Sequence, residues 1–246
     1  MATKVTVKAT LKRHADPAKV SAHERFFRTG KGEYGEGDRF IVVSVPNQRT
    51  IAKQFKDLSL GEIAKLLDDK IHECRLTALL ILCEQFPRAD TDGRQKIADL
   101  YIEKMDRVNN WDLVDTSAYK ILGAYLEDKG RSLLDELAES DDLWRQRIAI
   151  VATYHFIKQG DFTDTLRLCE LLLDDSHDLI HKATGWMLRE VGKRDVTALR
   201  NFLDEHAPRM PRTMLRYAIE KLPELERKRF MAVKRDAEPQ KTQKTQ

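Results

Sequence analysis

The sequence predicts an all-α fold built from a helical repeat, and three observations support this prediction. Charged residues make up 34% of the 246 residues and only 11 are glycine, a balance that suits amphipathic helices better than sheets. Signals that start helices recur along the chain, and similar segments return at a regular spacing. We therefore expect one helical domain over residues 1–233, followed by a disordered polar tail over 234–246.

Helix start signals divide the chain into short helices. Asp16-Pro17 and Pro46 each place a proline in a first turn, and Ser59 with Glu62 has the spacing of a capping box. Further helices are predicted over roughly 71–86, 94–107, 111–128, 131–139, 142–158, 162–173, 177–193, 196–206 and 210–222.

A glycine-rich loop over 29–46 separates the first two of these helices. Gly30, Gly32 and Gly35 satisfy the pattern G-x-G-x-x-G. A dinucleotide-binding loop follows a strand and opens a helix, whereas here the β-like run FIVVSV comes after the glycines. The acids in the loop would also repel a pyrophosphate. We interpret the segment as a surface loop with an extended connector.

Four segments align at offsets of 72, 36 and 36 residues. They are IHECRLTALLIL from 71, LWRQRIAIVATY from 143, LIHKATGWMLRE from 179 and LRYAIEKLPELE from 215. A unit of about 36 residues filled by a helix pair is typical of HEAT-like and armadillo-like solenoids. The predicted architecture is therefore a HEAT-like helical repeat solenoid with a concave face that binds a long ligand.

Charge is unevenly distributed along the chain. Residues 1–56 carry 12 Lys/Arg against 5 Asp/Glu, and residues 181–235 carry 14 against 7, whereas 57–180 carry 15 against 26. Two basic arms around an acidic middle suit phosphates on either side of a special site, although solvated helix faces would give the same counts. The basic run ERKRF at 226–230 is either a DNA-contacting end or a solvated last helix.

Several classes of protein are disfavoured. No run of 18 or more apolar residues occurs and the first residues lack the apolar block of a signal peptide, so we expect a cytoplasmic protein without a membrane span. Cys74, Cys83 and Cys169 are predicted to be buried thiols. For His177 and His181, which share a helical face, capping or surface roles are favoured over a metal site. Neither a metal nor a cofactor is predicted.

Trp111 and Asp115 form the first candidate site. They stand four residues apart in NNWDLVDTSA, so a helix would place the indole and the carboxylate on one face. Asn109 or Asn110 as the N-cap, and Asp112 as a favoured acid of the first turn, are structural alternatives. Trp111 could equally be a core anchor. Asp115 lies past the usual capping position, where burial of an unpaired carboxylate is costly.

Three segments resemble the active-site segments of AlkD-type DNA glycosylases, the HEAT-like DNA alkylation repair family, in order and spacing. They are WDLVD at 111–115, LWRQRIAI at 143–150 and HKATGWMLRE at 181–190, within a similarity that runs from HERFFRTGKGEYG at 23–35 to MPRTMLRYAIEKLP at 210–223. The resemblance implies a concave DNA-binding face and the removal of cationic alkylated purines, such as 7-methylguanine and 3-methyladenine, from duplex DNA, which leaves an abasic site.

The resemblance also implies roles for individual residues. Asp115 matches the catalytic carboxylate, which stabilises the oxocarbenium-like sugar and orients water. Trp111 and Trp186 match the indoles that cradle the damaged nucleotide, and Arg147 matches the arginine that holds its backbone. Basic residues of the C-terminal arm are predicted to bind DNA: Arg189, Lys182, Arg212 and Arg216. We expect a monomer acting on double-stranded DNA; the alternative is a non-catalytic HEAT-like scaffold that binds DNA or protein.

Overall fold

The structure, a computed structural model, describes residues 2–234 and is helical along most of that range. The chain divides into two units between Phe156 and Ile157. The all-α prediction is confirmed, whereas the single domain and the concave face stay predictions. Of the tail predicted to be disordered, only Lys234 lies within the described residues. No helix in the described range is both long enough and apolar enough to cross a membrane.

The first unit is organised around a central helix, α5, which packs against α3, α4 and α7 and is buried along most of its length. The helices of this unit are α1 (Lys4–Arg13), α2 (Val20–Phe26), α3 (Val45–Gln54), α4 (Leu60–Leu67), α5 (His72–Gln85), α6 (Thr91–Glu103), α7 (Trp111–Ser117), α8 (Ser132–Ala138) and α9 (Leu143–Ala152). Short 3₁₀ turns lie at Pro17–Lys19, Phe86–Arg88 and Met105–Arg107, and a π turn at Tyr119–Gly123. The division between the units falls within α10 (Tyr154–Ile157).

The second unit is organised around α12, which packs against α11, α13 and α14. Its helices are α11 (Thr163–Leu171), α12 (Asp178–Gly192), α13 (Val196–His206), α14 (Arg212–Ala218) and α15 (Glu224–Ala232). His177 caps α12, because its Nδ1 accepts a hydrogen bond from Leu179 N at 3.1 Å. The predicted capping role of His177 is confirmed. The basic run at 226–230 lies in α15.

From α5 onward, the helices predicted before residue 223 begin within three residues of the expected positions. Two features of the N-terminal part differ. Helix α1 was not predicted, and the capping box at Ser59 is wrong because Ser59 makes no side-chain bond to α4. The Glu62 carboxylate instead accepts a hydrogen bond from Lys4 N at 2.7 Å, which fastens the start of α1 to α4.

The aligned repeat segments correspond to helices in three cases out of four. Those starting at 71, 143 and 179 coincide largely with α5, α9 and α12. The segment from 215 begins in α14 and runs through a turn into α15. The repeat in the sequence therefore corresponds to single helices up to α12, and the segment from 215 departs from it.

Residues 40–44, predicted as part of an extended connector, form no regular strand, and residues 40–43 are largely buried. Arg39 forms an isolated parallel bridge with Ile71. Val42 adopts a φ of 58°, which is costly for a β-branched residue. Its N–H donates a hydrogen bond at 2.7 Å to the buried Glu73 carboxylate, and this contact holds the strained backbone in place.

The three cysteines are free thiols. Cys74 and Cys169 are buried, as predicted, and Cys83 is half-buried. Burial raises the pKa of the Cys74 and Cys83 thiols to about 12. Both are therefore poor nucleophiles at neutral pH.

The close approach of α12 and α14 gives a prediction on stability. A Cβ added at Gly185 would lie 2.4 Å from Met214 O and 2.6 Å from Tyr217 Cβ. Since a backbone oxygen cannot swing aside, we expect Gly185→Ala to lower the free energy of unfolding by about 1–3 kcal/mol in urea titrations. The matched control is Gly61→Ala in α4, where an added Cβ meets no atom within 4 Å. The control should be neutral or stabilising, and equal stabilities of the two variants would contradict the close approach.

Candidate active site

The start of α7 is fixed by Asn110. This residue is fully buried; its Oδ1 accepts a hydrogen bond from Trp111 N at 2.9 Å, and its Nδ2 donates one to Asp38 Oδ2 at 3.3 Å. Of the two asparagines suggested by the sequence, Asn110 is therefore the N-cap. Trp111 and Asp115 line the same cavity, so the prediction that they share one helix face is confirmed.

The cavity has a volume of about 630 Å³ and lies within the first unit. Its walls come from α2, the start of α3, α7 and the π turn, and one side is aromatic: Phe26, Phe27, Trp111 and Tyr119. Phe26 is 65% exposed and stands edge-on to Trp111, with ring centroids 5.8 Å apart. An exposed aromatic side chain at a cavity offers contact area to a flat ligand.

Asp115 is bound by Arg147 of α9. Arg147 Nε donates to Asp115 Oδ1 at 3.0 Å and Nη2 donates to Oδ2 at 2.8 Å. Arg147 is buried, whereas 22% of the Asp115 side chain is exposed. Burial raises the pKa of Asp115 above its ordinary value, and the guanidinium opposes that rise by stabilising the charged form. The sequence did not predict this contact.

Four rings stack behind the cavity. The ring centroids of neighbouring members lie 5.4 Å apart for Trp111 and Phe27, and 4.8 Å apart for Phe27 and Phe40. The centroids of Phe40 and His72 lie 4.7 Å apart. Their planes are inclined to one another by only 10° to 26°. This aromatic stack of Trp111, Phe27, Phe40 and His72 holds the indole in one orientation.

His72 is buried between two carboxylates. Its Nε2 lies 2.8 Å from Asp112 Oδ2 and its Nδ1 lies 3.1 Å from Asp38 Oδ2, while Arg75 Nη2 donates to the other Asp38 oxygen at 2.5 Å. Although burial alone would lower the pKa of His72, Asp112 and Asp38 raise it to about 9. The ring is therefore a cation at neutral pH, and it joins α5 to the first turn of α7.

Sequence analysis gave His72 no functional role. Its partners stand 34 and 40 residues away along the chain, so no local spacing could indicate them. The one local signal is Asp38 itself, an acid at the end of a glycine-rich loop directly before residues that become buried.

The other predicted catalytic indole lies in the second unit. Trp186 is half-buried on α12, and its Nε1 donates a hydrogen bond to Glu190 Oε1 at 3.2 Å. The structure thus brings together Trp111, Asp115 and Arg147, and the contribution of Trp186 to their site stays a prediction.

The four basic residues predicted to bind DNA also lie in the second unit. Arg216 is exposed and forms no ion pair with any described residue. The other three have partners: Arg189 with Glu220, Lys182 with Asp178 at 2.7 Å, and Arg212 with main-chain oxygens at the end of α15. A cation already paired attracts a phosphate less, so Arg216 is the best placed of the four.

His177 and His181 contact the main chain. His181 Nε2 lies 2.7 Å from Asp175 O, and His177 caps α12. Among residues 2–234, no three His, Cys, Asp or Glu side chains are grouped so that they could hold a metal ion.

Comparisons with known proteins agree with this architecture. The family model described as DNA alkylation repair enzyme matches residues 7–222. Among solved structures, the chain is similar to a predicted DNA alkylation repair enzyme from Enterococcus faecalis, with a TM-score of 0.69 and 14% sequence identity over 86% of this chain and 98% of that chain. At this identity the likeness shows the fold. No curated protein matches the chain.

The charge of His72 predicts a dependence of stability on pH. Its pKa in the folded state, about 9, exceeds the ordinary value of 6.5. The bound proton therefore stabilises the fold fully below about pH 6.5, and this contribution, up to about 3 kcal/mol, is lost as the pH rises through 9. The free energy of unfolding, measured in urea below pH 6.5 and above pH 9, should therefore fall less with rising pH in His72→Gln than in the parent. The control is His14→Gln, which removes an exposed histidine. If the free energy of unfolding of His72→Gln depends on pH as steeply as that of the parent, the assignment is contradicted.

Proposed function

The chain belongs to the DNA alkylation repair enzyme family, and from this premise we propose that it is a monofunctional DNA glycosylase. Its substrates are purines in duplex DNA that carry a positive charge through alkylation, and its product is an abasic site. The observation that supports this proposal is a carboxylate, Asp115, that lines a cavity with Trp111 while Arg147 holds it in place.

The proposed reaction needs only limited catalytic assistance from the protein. When the bond between C1′ and the purine nitrogen breaks, its electron pair neutralises the alkylated base, so the leaving group needs no proton. The sugar is left as an oxocarbenium-like cation, and water adds at C1′ and gives up a proton. At about 4 Å and an effective dielectric constant of about 20, a carboxylate stabilises such a charge by roughly 4 kcal/mol. That is on the order of a thousandfold in rate.

Each side chain of the site has a part in this proposal. Asp115 stabilises the sugar cation and orients the water. Arg147 positions Asp115 and stabilises its charged form. Trp111, held by the aromatic stack, offers a π face to the cationic nucleotide, worth about 0.5–2 kcal/mol, and we assign the same role to Trp186.

Selectivity in this proposal follows from charge. Enzymes that read an extruded base enclose it in a pocket with polar groups for its edge. On α7 the cavity instead presents two carboxylates, Asp112 and Asp115, which attract a cation whatever its size. The cavity beside Trp111 leaves room for substituents larger than a methyl group.

The first test is Asp115→Asn. The amide removes the negative charge at C1′, so single-turnover release of 7-methylguanine should fall by on the order of a hundredfold or more. DNA affinity should stay within a few-fold. Asp57→Asn, an exposed acid that does not line the cavity, is the control and should retain full activity. Because the introduced amide would leave Arg147 less well paired, urea unfolding must confirm that the variant is folded. A folded Asp115→Asn variant with full activity would leave the non-catalytic scaffold as the better interpretation.

The second test compares three lesions in otherwise identical duplexes. We expect release of 7-methylguanine or 3-methyladenine, release of a much bulkier cationic adduct, and no release of hypoxanthine, whose glycosidic bond lacks the built-in positive charge. Base release is measured by chromatography. Loss of activity on the bulky adduct alone would reveal an enclosing pocket, and efficient release of hypoxanthine would exclude charge as the criterion.

A further inference from the structure

Two cations line the cavity and have no part in the bond-breaking chemistry. Arg49 lies on α3 and is exposed, and Lys120 lies in the π turn and is half-exposed. Both therefore border the same space as Asp115 and Trp111. Neither was singled out by sequence, since they are 71 positions apart and belong to no common motif.

The charges around the cavity are paired unequally. Its two carboxylates are each bound from behind by a buried cation, Asp115 by Arg147 and Asp112 by His72. By contrast, neither Arg49 nor Lys120 forms an ion pair within residues 2–234; Lys120 Nζ lies 5.5 Å from the centre of the Tyr119 ring. The charges of Arg49 and Lys120 are thus available to an anion from outside the chain.

The two cations also lie near one point of the fold. Burial raises the pKa of the Cys83 thiol, and the charges of Lys120 and Arg49 both oppose that rise, so both lie within electrostatic reach of this sulfur. Cys83 Sγ contacts Thr116 O at 3.7 Å, directly beside Asp115 on α7. Glu84 acts on the same thiol from α5 but does not line the cavity.

The π turn places Lys120 at the cavity. Gly123 N donates to Ala118 O at 2.9 Å, five residues back, and a Cβ at Gly123 would lie 2.3 Å from Ala152 O of α9. Tyr119 and Lys120, which both line the cavity, belong to this turn. Such widened turns recur at functional sites.

We propose that Arg49 and Lys120 together bind a phosphodiester group of the DNA strand that carries the damaged nucleotide. The proposal rests on the proposed function, since it assigns the backbone ligand of the same site. Arg147 cannot serve both purposes, because its guanidinium fork is occupied by Asp115 and it is buried. A planar guanidinium and an ammonium that line one cavity suit two oxygens of one phosphate.

Binding is the main readout of the experiment. The probe is a duplex with a tetrahydrofuran abasic-site analogue, titrated by fluorescence anisotropy over a range of salt concentrations. The slope of log Kd against log salt should fall by about one for each of Arg49→Gln and Lys120→Gln, and by about two for the double variant. Arg49→Lys should retain the slope. The control is Lys96→Gln, which removes an exposed cation outside the cavity and should leave the slope unchanged.

A methylphosphonate scan identifies the phosphate. Replacing the phosphates next to the abasic analogue one at a time should give one position at which the parent and the double variant bind equally. At subsaturating enzyme, release of 7-methylguanine should fall in Arg49→Gln and Lys120→Gln in proportion to their loss of affinity for DNA. In Arg147→Gln the salt slope should be unchanged, while release at saturating enzyme becomes slower.

The outcomes separate this proposal from the glycosylase assignment. An unchanged salt slope in the folded double variant, or no phosphate position that abolishes the difference, overturns the phosphate site even if the parent releases 7-methylguanine. Reduced slopes in variants of a parent that releases no base support the phosphate site and overturn the glycosylase. A parent that does not bind the duplex overturns both.

Discussion

The candidate site depends on one buried ion pair network, the His72 imidazolium between Asp38 and Asp112. Two carboxylates with little solvent access would repel each other and favour neutral forms, unless a cation lay between them. The imidazolium supplies that charge, and Arg75 adds a second cation on the Asp38 side. Because the network joins the glycine-rich loop, α5 and α7, it determines where Trp111 and Asp115 stand.

The same principle governs the acids that face the cavity. Each has a buried cation behind it, Arg147 for Asp115 and His72 for Asp112, which offsets the repulsion between the two carboxylates. Each Asp115 oxygen accepts one hydrogen bond from Arg147 and keeps a further lone pair for the cavity side. The pairing therefore orients the carboxylate and still leaves it able to interact with a developing positive charge or with water.

Local signals in the sequence predicted most of the helices, an N-cap at Asn109 or Asn110, and the shared face of Trp111 and Asp115, because each of these depends on residues a few positions apart. The Arg147 contact with Asp115 could not be predicted in this way, since it joins helices 32 residues apart. The same holds for the His72 network and for the docking of α1 through Glu62. The predicted helix over 111–128 missed the π turn, which lies where α9 approaches this segment most closely, at Gly123 and Ala152, a contact that no local pattern indicates.

The π turn makes the length of this segment a constraint separate from its composition. A π turn holds one residue more than a regular α-helical turn and keeps the helix before it in phase with the residues after it. Removing one residue between Ala118 and Gly123 would therefore restore a regular α-helix and leave the contact between Asp115 and Arg147 in place. The change would fall on the turn itself, where it would alter which side chains, Lys120 among them, face the cavity.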